Sequence, residues 1–60
     1  MSESLIEKFK RVRKERGLTL VEISFRMRLP RQMVSNFENG KAVLTPQQAD
    51  VIRAFLGGKL

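Results

Sequence analysis

Thr19–Gly40, TLVEISFRMRLPRQMVSNFENG, is the stretch whose reading decides the fold. It reads as two short helices separated by a tight turn. Thr19 is a natural N-cap and Glu22 follows at the capping-box spacing, so a helix starts there and runs to about Met27. Met27-Arg28-Leu29-Pro30 breaks the pattern. Proline pushes the preceding residue out of helical angles, yet it is tolerated at a helix start, where its missing N–H has no partner to lose. A second helix then runs from about Pro30 to Asn39-Gly40, a pair that tolerates left-handed angles and ends it.

On the N-terminal side, Leu5, Ile6, Phe9 and Val12 share one helical face, with Ser2 or Ser4 as cap and Gly17 as stop. Lys8, Lys10, Arg11, Arg13, Lys14 and Arg16 fill the other positions. Arg13 stands at the edge of the apolar face, where a charge needs a partner. On the C-terminal side, Lys41 to Leu44 is a linker. Thr45-Pro46-Gln47-Gln48 then supplies a cap, a proline at the first position and a glutamine at the capping-box position. That last helix reaches about Leu56, turns Ala49, Ile52, Phe55 and Leu56 inward, and stops at Gly57-Gly58.

Leu18, Ile23 and Met27 form the inward set of the central stretch, joined by Val34 and Phe37, with Met33 beside them. Leu20, Val21 and Phe25 do not all fit that face. Val21 and Phe25, four residues apart, make a second, outward stripe that either meets another helix or is exposed for a partner. No repeat and no strand-like alternation interrupts the helical periodicities. The expected fold class is therefore all-α: a compact bundle of four helices in a single domain over residues 1–60.

Composition narrows the function. The chain has no cysteine and no histidine, which removes disulfides, thiolate zinc sites and imidazole chemistry. No metal site and no cofactor is expected. Its six carboxylates are scattered without an acid/base pair, and no glycine loop can cradle a phosphate, so an enzyme is not expected. Twelve Lys+Arg against six Asp+Glu give a net charge of +6, which favours a polyanionic partner or simply a well-solvated surface. No apolar run approaches the roughly 20 residues that span a bilayer. The N-terminus has no signal-peptide core, and the apolar stripe of the first helix is narrow and lacks Trp, which suits a small core better than a membrane surface.

A nucleic-acid reading has a physical mechanism. In two helices joined this way, the second can lie in the DNA major groove. Arg31 can bond a guanine edge bidentately, Gln32 or Asn36 can do the same to adenine, and Ser35 is small enough to allow close approach. The Thr19 end of the first helix presents free N–H groups and partial positive charge to phosphate.

Arg13, Gly17-Leu18-Thr19, Glu22-Ile23, Arg31, Val34-Ser35 and Phe37-Glu38-Asn39-Gly40-Lys41 together resemble the Cro/phage-repressor (XRE-type) helix-turn-helix family, over about Leu5 to Leu56. The most specific part ends in Phe37-Glu38-Asn39-Gly40-Lys41. The resemblance implies a phage-repressor-like fold of four or five helices and a buried ion pair between Arg13 and Glu38. It also implies base contacts from Arg31, Gln32, Ser35 and Asn36. Phosphate contacts would come from Thr19, the Asn39-Gly40 backbone and Lys41. A cytoplasmic protein encoded by a bacterium or a phage is implied as well.

The chain departs from the family pattern at defined places. Leu20 stands where a backbone-contacting Gln is frequent, Ser24 where a small Ala is usual, and Pro30 where a Ser or Thr cap is common. Arg28 replaces the turn glycine, so the turn is expected to be strained or rebuilt around Pro30. Val21, Phe25 and Met33 are apolar where polar residues are usual, and a fifth, dimerising helix has no room after Gly58. The expected function is a sequence-specific DNA-binding transcriptional regulator, a repressor in preference to an activator, since occupying a site suffices to exclude polymerase. It would act as a homodimer on a near-palindromic double-stranded operator. The alternative is a protein-interaction module on the same fold (antirepressor, antiactivator or antitoxin-like) using Leu20, Val21, Phe25 and Met33.

Overall fold

Local capping chemistry sets each helix start. In the computed structural model, which describes residues 3–59, Ser4 Oγ accepts the Glu7 N–H at 3.1 Å and opens α1, Leu5–Glu15. Ser2, the other candidate cap, lies outside the described residues. α2, Leu20–Met27, opens on a complete capping box: Thr19 Oγ1 accepts from Glu22 N at 3.1 Å, and Glu22 Oε1 accepts from Thr19 N at 3.2 Å. Thr45 and Gln48 repeat the device at the start of α4, Pro46–Leu56. Between them, α3 spans Arg31–Glu38 and has no side-chain cap. Pro30 occupies the cap position, where a Ser or Thr is the usual residue of the family pattern, and its ring has no oxygen to offer.

The four helix ends share one geometry. After each, the N–H of the left-handed residue bonds the carbonyl three back, and the next N–H bonds the carbonyl five back, which is the Schellman motif. Gly17, Gly40 and Gly58 fill the left-handed position after α1, α3 and α4, at φ 66°, 74° and 77°. After α2 the position belongs to Arg28, at φ 55° and ψ 40°. The turn is thus not rebuilt around Pro30. Arg28 adopts the glycine conformation itself, while Leu29 N bonds Ser24 O at 3.0 Å and the Leu29 side chain packs against the core. The bonds that close the motif hold the residue where its Cβ crowds the following carbonyl oxygen.

Phe9 of α1 is the centre of the core. It is fully buried and meets the Phe37 ring of α3 edge-on at 5.3 Å and the tilted Phe55 ring of α4 at 5.5 Å. Val12, Leu18, Ile23, Met27, Val34 and Ile52 complete the buried apolar set. α1 and α2 each lean on α3 and α4, so the shared core passes through the last two helices. Leu5, expected on the inward face, is at the rim and 37% exposed, because α1 starts before the bundle covers it. The linker is better packed than its composition suggests. Ala42 and Leu44 press against the core while Val43, between them, is 95% exposed.

Two arginines tie down ends. Arg16 Nη1 donates to Phe55 O at 3.0 Å, and its guanidinium lies 4.8 Å from the centroid of the Phe55 ring, joining the end of α1 to the end of α4. Arg11 grips Glu3 through Nε and Nη2 and reaches Glu15 through Nη1. The Arg11 hydrogen bond holds the Glu3 carboxyl below the ordinary carboxylate range. That contribution exists above the unfolded carboxylate pKa and fades as pH falls through the lowered one, and at this exposed site salt screens it.

The left-handed arginine gives a direct test of strain. A left-handed non-glycine residue costs about 1–2 kcal/mol. Arg28→Gly should therefore raise the unfolding free energy by about 1 kcal/mol, since glycine's greater freedom when unfolded offsets part of the relief. In urea the midpoint should rise with unchanged slope, and Tm should rise by about 4–8 °C. A variant no more stable than the parent would show that the Arg28 side chain compensates for its backbone.

Candidate nucleic-acid interface

The exposed face of α3 follows from what its other face must do. Val34, Phe37 and Glu38 are buried, so the helical period turns Arg31, Gln32, Ser35 and Asn36 to the opposite side. Arg31 and Gln32 are exposed, and Ser35 and Asn36 are half-buried. These four residues share a face. Gln32 Nε2 donates to Asn36 Oδ1 at 3.0 Å, one turn along. The Gln32 carbonyl and the Asn36 amide nitrogen remain available. This contact follows from an i, i+4 spacing legible in the sequence.

A shallow groove runs from this face to the start of α2, lined by Arg31, Gln32 and Ser35 on one wall and Thr19, Leu20 and Val21 on the other. At the start of α2 the capping box has already used the Thr19 N–H. What remains for an anion there is the Thr19 hydroxyl proton and the N–H groups of Leu20 and Val21, which are the first two helical residues. Leu20 thus supplies a backbone donor where its side chain cannot.

At the second place where the resemblance implies a phosphate contact, the helix end uses the backbone donors itself. Asn39 N bonds Ser35 O at 3.1 Å, Gly40 N bonds Phe37 O at 3.1 Å and Lys41 N bonds Asn36 O at 2.8 Å. All three N–H groups are spent inside the chain. The backbone of Asn39-Gly40, expected to donate to phosphate, has no N–H left to give. Only the Asn39 side chain and the Lys41 ammonium, both on exposed residues, can serve there.

The expected partner surface also divides. Val21 is 55% exposed and Phe25 85% exposed. Leu20 is half-buried and packs against the core, because at the start of α2 it overlaps the inward stripe. Met33 is half-buried on α3. Val21 and Phe25 alone form the outward stripe.

Behind the groove, one guanidinium holds three segments together. Arg13 Nε donates to Glu38 Oε2 at 2.7 Å and Nη2 to Glu38 Oε1 at 3.2 Å, while Nη1 donates to Leu18 O at 2.9 Å. The fork thereby ties α1 to α3 and to the corner before α2. Both side chains are mostly covered, 15% and 9% exposed. No buried side-chain polar atom is unpaired among the described residues. Among the same residues no group of His, Cys, Asp or Glu could hold a metal ion, and no helix is long and apolar enough to cross a membrane.

A family model described as helix-turn-helix matches residues 9–60, nearly the whole chain. The chain belongs to the Cro/phage-repressor (XRE-type) helix-turn-helix family. It is thus a DNA-binding regulator, built as an all-α helix-turn-helix protein. Neither the curated proteins nor the solved structures give a significant match.

For this helix-turn-helix protein the Arg13–Glu38 pair makes a quantitative expectation. Glu38→Ala leaves a mostly covered guanidinium uncompensated and should cost about 3–5 kcal/mol. The double variant Arg13→Met/Glu38→Leu should recover most of that loss, because the uncompensated charge is gone. Urea unfolding of both variants measures the difference. Equal destabilisation by both would show that loss of the paired hydrogen bonds, and not the uncompensated charge, carries the cost.

Proposed function

We propose that α3 reads base edges in the major groove through Arg31, Gln32, Ser35 and Asn36, and that the protein represses transcription by occupying its operator. The observation that carries this reading is the hydrogen-bonded Gln32–Asn36 pair beside the exposed Arg31. An amide with one acceptor and one donor free matches the N6 and N7 edge of adenine, and a guanidinium matches O6 and N7 of guanine. The Thr19 hydroxyl and the first N–H groups of α2 would hold one phosphate, and Asn39 and Lys41 would flank another. These contacts position the protein, while the α3 side chains specify.

Two copies would bind a near-palindromic site. A chain with net charge +6 has only salt-sensitive affinity as a monomer, and joining two half-sites multiplies it. The half-sites would lie about 34–36 Å apart.

Selection of bound sequences from a random DNA pool tests the reading. Enrichment of a two-fold symmetric site is expected, and no enrichment at low salt would defeat it. On the selected site, Arg31→Ala and Asn36→Ala should each lose about 1–3 kcal/mol of discrimination at a defined base pair. Lys41→Ala should weaken all sequences alike and reduce the salt slope by about one unit. If Arg31→Ala and Asn36→Ala leave operator binding unchanged, direct base reading by this face is wrong.

A further inference from the structure

Phe25 is not explained by folding or by the groove. It is 85% exposed on α2, with Val21 one turn before it on the same stripe. Around its base runs a second shallow groove lined by Ser24, Phe25, Arg28, Leu29 and Pro30. Arg28 borders it at the one helix end where the left-handed position is not glycine. A strained backbone persists where something other than stability retains the residue, and an observed outlier of this kind points to a site. What distinguishes Arg28 from glycine is its charged side chain, and Arg28 lines the same groove as the exposed ring.

The charge of the patch identifies its occupant. Ion pairs among the described residues engage Arg11, Arg13 and Arg53 and leave Arg28, which lines the groove, without a carboxylate. Glu22, the carboxylate of α2, is bound into the capping box. A second copy of this chain would therefore bring arginines against arginines, each copy with net charge +6. DNA would suit the guanidiniums but not the ring, for a phosphate surface offers phenylalanine nothing apolar. The patch also lies at the end of α2 opposite Thr19, about 12 Å along the axis. We infer that the Phe25–Arg28 patch docks an acidic segment of another protein, with an apolar side chain of that segment seated against Phe25 and a carboxylate paired with Arg28. Aromatic and arginine side chains together are the usual makings of a binding hot spot.

Selection of random displayed peptides against the folded protein tests this inference. Enrichment of peptides rich in Asp and Glu with an aromatic or leucine anchor is expected. A fluorescein-labelled consensus peptide should then bind Phe25→Ser and Arg28→Gly about tenfold or more weakly, as loss of a hot-spot residue does. Both variants should retain the parent's DNA affinity. Arg28→Gly is also expected to be the more stable protein, so its loss of peptide cannot come from unfolding; a far-ultraviolet circular dichroism melt checks Phe25→Ser. No acidic enrichment, or enriched peptides that bind both variants as well as the parent, would overturn the inference. So would loss of DNA affinity in Phe25→Ser, which would make DNA the occupant. Loss of self-association on sedimentation would make it a second copy.

Discussion

The Arg13 guanidinium sets the geometry on which the rest depends. Its five donors lie in one plane, and the structure uses that plane on both sides: two contacts to Glu38 of α3 and one to the Leu18 carbonyl, at the corner where the chain leaves α1 for α2. Hydrophobic contact is non-directional and would allow these helices to slide. A bidentate charged contact is directional, so it defines the angle at which α3 leaves the core. Being mostly covered, it contributes little net stability over an apolar substitute. Its physical role is to make other arrangements worse, because each leaves a charge without a partner.

Around that contact the chain is assembled from a small set of local devices. Each helix starts with a residue of the capping type, except α3, and each ends with the same pair of crossed hydrogen bonds. The exceptions fall together. The left-handed arginine and the uncapped start of α3 stand on either side of Leu29-Pro30, in the turn of the motif. Where the core is concerned the rules hold closely, with three rings in contact and no buried polar side-chain atom unpaired among the described residues. Departures from local preference therefore gather at the turn between α2 and α3 and along the exposed side of α2.

Donor accounting gives the candidate interface its shape. At the start of α2 the capping box takes the N–H groups of Thr19 and Glu22 and leaves those of Leu20 and Val21, between them, outward. At the end of α3 the crossed bonds take all three N–H groups of Asn39, Gly40 and Lys41. The same backbone that resembles a phosphate clamp in sequence is closed at one end and open at the other. Side-chain amides and ammonium groups must do at Asn39 and Lys41 what N–H groups can do at Leu20 and Val21.

Much was determined by sequence alone. Cap residues and stop residues act through bonds only a few positions long, so Thr19, Glu22, Thr45, Gln48, Gly17 and Gly40 announce the helices wherever they occur. Helical period then separates the buried Ile23, Met27, Val34 and Phe37 from the exposed Arg31 and Gln32, because both faces follow from one repeat. Arg13 next to an apolar face shows that a partner is needed, although the partner's identity came only through resemblance. Tertiary structure alone decided the rest. Whether Leu20 joins the core and Phe25 stays out depends on which neighbours arrive, and that is not encoded in α2. Arg28 accepts a left-handed backbone because the packing of Leu29 and the crossed hydrogen bonds leave no other, which local preference opposes. Arg16 meets the Phe55 carbonyl from 39 residues away, a contact that exists only once the bundle has closed.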